Sequence, residues 1–99
     1  MTVFDFFTLT TYIDRQTPLF GQVDQDRDHI QAVSALRFLE DDRDVALVLQ
    51  EGARPLTLEQ AQTRLSQIGQ KANLHLQIAG QAKPVLGFHQ DEKGRIVIQ

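Results

Sequence analysis

The chain has 99 residues, of which 41% are hydrophobic and 23% charged, with a net charge of −3 at pH 7 and no cysteine. This composition is typical of one small folded domain and is too apolar for a disordered chain. The absence of cysteine excludes disulfides, thiolate zinc sites and cysteine nucleophiles, and the acidic balance disfavours a general nucleic-acid binder.

Residues 2–13, TVFDFFTLTTYI, give two conflicting signals. Their Phe, Thr and Tyr content favours a strand by propensity. Val3, Phe6, Thr10 and Ile13 nevertheless follow the same helical stripe as a clearer helix further along the chain, described below. Since propensity is a weak prior that tertiary context overrides, we predict a helix over residues 2–13.

A polar stretch, DQDRDH, follows at residues 24–29. Asp24, Asp26 and Asp28 have the i, i+2, i+4 spacing with which calcium loops begin. Such a loop needs Gly at its sixth position and Glu at its twelfth, and His29 and Ala35 stand there instead. We therefore interpret this candidate polar loop as a solvated insertion, with weak divalent-cation binding as the alternative.

Residues 30–49 predict the first β-hairpin, and both of its faces are apolar. One face has Leu36, Phe38, Ala46 and Val48. A sheet with apolar residues on both faces must be covered on both sides. Helices can cover one side, and the other needs the second half of the chain, a second copy or a different protein. The candidate interaction face consists of Val33, Leu39, Val45, Leu47 and Leu49.

The second half is easier to interpret. Residues 51–56, with Gly52 and Pro55, form a linker, and residues 57–72 form an amphipathic helix in which Thr57 and Gln60 have capping-box spacing. LHLQI alternates as a strand does, and KPVLGFH and RIVI are predicted strands joined by QDEKG. Gly94 in that turn can take the positive φ that tight turns demand.

The two halves resemble each other. The first segments align when Thr2 is placed on Thr57, the hairpins align when Phe38 is placed on Phe88, and the five extra residues fall in the polar stretch before Ser34. We predict one α+β domain over residues 1–99, built by duplication of an αβββ unit. The units span 1–50 and 57–99, with two helices and about six mostly antiparallel strands in one sheet or two. The alternative is two unrelated helix-plus-hairpin segments.

Catalytic patterns are absent from the sequence. His29, His75 and His89 lack metal-type spacing, and His75 is predicted to be an exposed sheet residue. Ser34 and Ser66 lack the flanking glycines of a nucleophile elbow, and the sequence has no glycine-rich phosphate loop. We therefore expect neither an enzyme nor a bound cofactor or metal.

The leading hypothesis is a small non-catalytic interaction or assembly protein that binds itself as a homodimer, or another protein, through the apolar sheet face or an edge strand. The first 50 residues have a net charge of −5 and the rest +2. The alternative is a nucleic-acid-associated protein whose contacts come from the basic half: Arg64, Lys71, Lys83, Lys93 and Arg95. No basic leader and no run near the roughly 18 apolar residues of a membrane span is present, so a cytoplasmic location is expected.

Overall fold

The computed structural model describes residues 1–39 and 43–99, so the predicted turn of the first hairpin at residues 40–42 lies outside the described residues. Its helices are α1 (Val3–Leu9) and α2 (Leu58–Leu65). Its strands are β1 (Leu19–Gln22), β2 (Ile30–Phe38), β3 (Asp44–Gln50), β4 (Asn73–Ile78), β5 (Gln81–Pro84), β6 (Phe88–Gln90) and β7 (Ile96–Ile98). The α+β class and the helix near the N-terminus are confirmed.

Both helices begin at a capping box. The Thr2 hydroxyl accepts from the Asp5 N–H at 3.1 Å and the Asp5 carboxylate accepts from the Thr2 N–H at 3.0 Å; Thr57 and Gln60 repeat this arrangement at 3.2 and 3.0 Å. Each box satisfies N–H groups that have no partner inside the helix. These bonds to Thr2 lower the pKa of Asp5. The local cap therefore overrides the strand propensity of the Phe- and Thr-rich segment.

The seven strands form one sheet in the order β5-β4-β3-β2-β1-β7-β6. The pairs β1/β7 and β3/β4 are parallel and the other four are antiparallel. The two edge strands, β5 and β6, are consecutive and only residues 85–87 separate them. The sheet must therefore curl until its two edges are within reach of three residues.

The predicted strand KPVLGFH is divided where the chain crosses between these edges. The Val85 N–H donates to the Leu74 carbonyl at 3.0 Å, whereas the Gly87 N–H donates to the Gln99 carbonyl at 3.1 Å. Pro84, which has no N–H to donate, ends the first segment. One predicted strand thus becomes two, which accounts for seven strands rather than six.

Backbone hydrogen bonds that join the halves occur in corresponding pairs. Adding 55 to the residue number from the first half and subtracting 55 from the residue number from the second half converts one bond of a pair into the other. The pairs are Leu74 N–Met1 O (2.8 Å) with Leu19 N–Leu56 O (2.8 Å), Val3 N–Ala72 O (2.9 Å) with Leu58 N–Thr17 O (2.8 Å), and Phe4 N–Gln70 O (3.0 Å) with Glu59 N–Arg15 O (2.8 Å). Each helix therefore attaches to the other half in the same way.

The core lies between the concave side of the curled sheet and the two helices. Val3 and Phe6 from α1 and Leu58, Ala61 and Leu65 from α2 are buried in it. Strand side chains from both halves complete it, namely Leu19, Val33, Val45, Leu47, Leu49, Leu74, Leu76, Ile96 and Ile98. The curl brings β1 and β3 close together, since a Cβ added to Gly21 would lie 2.6 Å from Leu49 Cδ2.

Candidate interaction surface

Four of the five residues of the candidate interaction face are interior. Val33, Val45, Leu47 and Leu49 are at most 6% exposed in a single chain, and Leu39 is half-buried. These four side chains pack against the helices and the other half because the sheet curls around them. The chain itself covers this part of the face. These four residues therefore belong to the core and not, as predicted, to a partner surface.

A different apolar surface is exposed on α1 and the turn after it. Phe4 and Leu9 are each 56% exposed and Tyr12 is 100% exposed, while Val3 and Phe6 point into the core. A surface helix normally places polar residues on its solvent side. Helix α1 and the turn after it thus expose three large apolar side chains next to the polar Asp5 and Thr8.

A groove of about 430 Å³ lies beside this exposed side, between α1 and residues 65–70. We call it the α1 groove; its walls include Phe4, Phe7, Thr8, Ser66, Ile68 and Gln70. The bond from the Phe4 N–H to the Gln70 carbonyl, 3.0 Å long, holds its two sides together. Among the described residues that line it, none is charged. The groove therefore suits an apolar or weakly polar group rather than an ion.

In the second half of the chain, the positions that correspond to the exposed apolar residues of α1 and its following turn are polar. At a displacement of 55, Phe4, Phe7, Leu9 and Tyr12 correspond to Glu59, Gln62, Arg64 and Gln67. Glu59 Oε2 lies 3.8 Å from Arg15 Nε, and Gln62 Nε2 donates to Thr10 Oγ1 at 3.2 Å. Polar residues serve at every one of these positions, so the fold does not require apolar residues on the exposed side of α1.

The candidate polar loop is stabilised by its own carboxylates. Asp24 accepts from the Asp26 N–H at 2.8 Å and Asp26 accepts from the Asp28 N–H at 2.9 Å. Asp24 Oδ2 also lies 2.7 Å from His29 Nδ1, and this hydrogen bond lowers the pKa of Asp24 and raises that of His29. In the described ranges, no three His, Cys, Asp or Glu side chains are grouped as a metal would require. The carboxylates thus act as turn acceptors here.

The polar loop and the β6–β7 hairpin enclose a second cleft of about 590 Å³. Arg27, Lys93 and Arg95 line it together with Asp28, Asp91 and Glu92, so its charge favours neither anions nor cations. Arg95 Nε donates to Asp91 Oδ2 at 2.6 Å, and its guanidinium carbon lies 5.0 Å from the centre of the Phe20 ring. The strongest contacts in this cleft are therefore internal to the hairpin and its neighbour.

Asp91 is the acceptor that shapes this hairpin. Its Oδ1 accepts from the backbone N–H groups of Lys93 at 3.0 Å and Arg95 at 2.9 Å. Burial, the largest influence, raises the pKa of Asp91, but the hydrogen bonds from Arg95 and Lys93 together outweigh it and the pKa is lowered. The carboxylate consequently stays ionised and bonded within its own turn.

The three histidines lie apart. His29 is bonded in the polar loop, His89 lines the second cleft, and His75 lies on β4. The prediction that His75 is an exposed sheet residue is wrong, since its side chain is 19% exposed and its Nδ1 lies 3.8 Å from Asp44 Oδ1. Its strand neighbours Ala46 and Pro84 flank it across the sheet.

The basic residues of the nucleic-acid alternative lie on separate elements. Arg64 is in α2, Lys71 follows it, Lys83 is in β5, and Lys93 and Arg95 belong to the β6–β7 hairpin. Arg95 is already paired with Asp91, and acidic side chains line the cleft that contains both hairpin cations. This distribution does not resemble the clustered basic face typical of nucleic-acid binders.

Sequence reasoning missed the α1 surface although its signal was present. The comparison of the halves placed Val3, Phe6 and Thr10 in a buried stripe, and the residues between them were not compared. Aligning the outward positions as well would have set Phe4 against Glu59 and Tyr12 against Gln67. That contrast is readable from the sequence alone.

Comparisons with known proteins give no further information about this surface. The chain matches no protein-family model, no curated protein and no solved structure. Both helices in the described residues are too short to cross a bilayer. Its function is therefore argued from its own residues.

Proposed function

We propose that the chain is a small non-catalytic interaction or assembly protein that binds its partner through the exposed side of α1. The binding surface comprises Phe4, Leu9, Tyr12 and the α1 groove. The observation behind this proposal is that three large apolar side chains of α1 and the turn after it stay in water, and that one of them, Phe4, lines a groove whose described lining residues are uncharged. Exposed apolar patches of this kind are a frequent mark of protein interaction sites.

The exposed aromatic surface is large enough to contribute to binding. Phe and Tyr each offer roughly 150–250 Å² of surface. At exposures of 56% for Phe4 and 100% for Tyr12, on the order of 300 Å² of aromatic surface faces water. Burying it at about 25 cal/mol per Å² contributes about 7 kcal/mol, and association itself costs roughly 4–15 kcal/mol. Leu9 and the groove walls add the remaining area that binding needs.

Strand addition at an edge of the sheet is the less favoured mode. β5 is exposed along its whole length, which makes it the accessible edge. Lys83 and Pro84 occupy it, and a lysine and a residue without an N–H are the features with which proteins protect edges from pairing. The proposed partner contact is therefore made by helix α1 and not by the sheet edge.

The proposal includes an origin by internal duplication of an αβββ unit. The corresponding hydrogen bonds between halves support it, as do the two parallel pairings, which set Val45 beside Leu74 and Ile96 beside Leu19. These registers make Ile96 the counterpart of Val45. The sequence alignment of Phe38 with Phe88 does not fit them, because Phe38 lies opposite Val45 and Phe88 opposite Ile98. In this duplication, the helix region of the second copy has polar residues where that of the first has the proposed binding surface.

A three-way comparison tests the proposed surface. The wild-type chain, a Phe4→Glu/Tyr12→Glu variant and a Thr63→Glu/Gln67→Glu control are immobilised, and proteins retained from the organism's lysate are quantified. Thr63 on α2 and Gln67 in the turn after it are exposed, so the control adds the same charge elsewhere. The retained protein is then purified and titrated against all three by calorimetry.

We expect the purified partner to bind the wild-type chain and the control equally and the Phe4→Glu/Tyr12→Glu variant at least about tenfold more weakly, because two charges must be desolvated at an apolar contact. Circular dichroism checks that all three chains are folded. Equal binding by all three would refute the assignment of the surface to α1.

A further inference from the structure

The second cleft, between the polar loop and the β6–β7 hairpin, lies on the outer face of the sheet. Ile96 and Ile98 belong to the core, so the alternation of side chains along β7 puts Val97 on the opposite face. Val97 lines the cleft, as do His89, which faces it across the hairpin, and Ile30 of β2. The volume of about 590 Å³ falls within the roughly 300–1,000 Å³ of small-molecule sites. This cleft is thus separate from the helices and from the surface proposed on α1.

Arg95 is held in one direction before any ligand binds. Its Nε donates to Asp91 Oδ2 at 2.6 Å, and its guanidinium carbon lies 5.0 Å from the centre of the Phe20 ring. Its two terminal nitrogens have no hydrogen-bond partner among the described residues, and the side chain lines the cleft. A guanidinium fork matches the two oxygens of a carboxylate. Because Asp91 offsets its charge, Arg95 supplies hydrogen bonds and direction to a bound carboxylate, at little ordering cost.

His89 supplies a second hydrogen-bond donor on the same face. It lies opposite Val97, which is two residues from Arg95 along the chain. Its Nδ1 is buried and has no hydrogen-bond partner in the part of the chain that the structure describes. The other ring nitrogen, Nε2, is not buried in this way, so it is the one that a ligand in the cleft can reach. With its proton on Nε2, His89 donates into the cleft that Arg95 also lines.

Free charges of both signs complete the lining of the cleft. The polar loop contributes Arg27 and Asp28, and the turn of the hairpin contributes Glu92 and Lys93. Within the described ranges, none of these four side chains forms an ion pair. A purely anionic ligand would leave both carboxylates unpaired, and a purely cationic ligand would leave both cations unpaired. A molecule that carries one charge of each sign complements both sets.

We propose that the second cleft binds a free α-amino acid with an aliphatic side chain. The Arg95 fork and His89 Nε2 donate to its carboxylate, Asp28 and Glu92 accept from its ammonium group, and the apolar lining contacts its side chain. This site goes beyond the proposed function and does not depend on it, because the cleft and α1 lie on opposite faces of the sheet. Since the charged side chains of the loop and the turn are exposed, water screens them, and we expect a dissociation constant in roughly the millimolar range.

Three related compounds test this site on the wild-type chain, with binding followed by amide NMR spectra. L-leucine has both charged groups, isocaproate lacks the amine, and isopentylamine lacks the carboxylate. L-leucine should shift the signals of residues 27–30 and 89–97 and bind at least about tenfold more tightly than either analogue, because each analogue leaves charged groups of the cleft unpaired. Absence of L-leucine binding up to about 50 mM would overturn the proposal, as would equal binding of an analogue or signal shifts elsewhere in the chain.

Variants separate the two halves of the ligand. Arg95→Gln should weaken the binding of both L-leucine and isocaproate at least about tenfold, whereas Asp28→Asn/Glu92→Gln should bring the affinity for L-leucine down to that for isocaproate. Arg64→Gln, which removes the same charge from the exposed side of α2, should bind L-leucine as the wild-type chain does. If circular dichroism shows that Arg95→Gln does not fold, Asp28→Asn/Glu92→Gln still decides, since both of its positions are exposed. Unchanged L-leucine binding in Asp28→Asn/Glu92→Gln, or an equal loss in Arg64→Gln, would overturn the proposal.

Discussion

Replacing Leu47 by alanine distinguishes core from interface on the first hairpin. Leu47 is 0% exposed and lies in β3 between Leu36 on β2 and Leu76 on β4. Leu→Ala at such a position costs roughly 2–5 kcal/mol, because the transfer free energy of the side chain is lost and a cavity remains. For a domain whose total stability is about 5–10 kcal/mol, this is about a fifth of the stability or more.

Urea unfolding followed by far-ultraviolet circular dichroism measures this cost. Tyr12→Ala is the matched control, since Tyr12 is 100% exposed and its replacement should change the free energy of unfolding by less than about 0.5 kcal/mol. The melting temperature of Leu47→Ala should be lower than that of the wild-type chain by roughly 10 °C or more. A loss below about 1 kcal/mol in Leu47→Ala, together with weaker association, would mean that Leu47 faces a partner, and the description of the core would be refuted.

Three further perturbations follow from the structure. Gly21→Ala should destabilise the chain by about 1–3 kcal/mol because the new Cβ meets Leu49 at 2.6 Å, and Leu49→Ala in the same chain should restore part of that loss in urea unfolding. Thr57→Ala should cost about 1 kcal/mol in the same assay, through the lost cap of α2. The contribution of His29 to stability should be full below pH 6.5, its ordinary pKa, and should be lost as the pH rises through the raised pKa of the folded state. The contribution of Asp24 to stability should be full above pH 3.8, its ordinary pKa, and should be lost as the pH falls through the lowered pKa of the folded state. NMR titration should show the His29 pKa returning towards 6.5 in Asp24→Asn, and an unchanged pKa would contradict the pairing.

Local signals predicted where the two helices begin but not where they end. The capping-box spacing of Thr57 and Gln60 predicted the start of α2, and the parallel with Thr2 and Asp5 gave α1 in spite of its Phe and Thr content. Helix α1 stops at Leu9, earlier than the predicted residue 13, and helix α2 stops at Leu65, earlier than the predicted residue 72. The Thr10 hydroxyl donates to the Phe6 carbonyl at 2.7 Å, and such side-chain bonds compete with the backbone bonds that would continue a helix.

The sequence could not predict how distant parts of the chain close the sheet around its core. The prediction of two apolar faces on the first hairpin is wrong, because the register shift between Val33 and Ala35 sets Leu36 opposite Leu47 and therefore on the same face as the core residues. The crossing at residues 85–87 curls the sheet and buries Val33, Val45 and Leu47 within one copy. The curl of the sheet also explains why the candidate site lies on α1 and not on the hairpin, since Phe4 and Tyr12 remain outside the closed core.

The most direct test of a binding role for α1 is calorimetric titration of a partner purified on the wild-type chain against the wild-type chain, Phe4→Glu/Tyr12→Glu and the Thr63→Glu/Gln67→Glu control. We predict that the wild-type chain and the control bind this partner equally and that Phe4→Glu/Tyr12→Glu binds it at least about tenfold more weakly while remaining folded. Equal binding of the partner by all three chains would contradict the account.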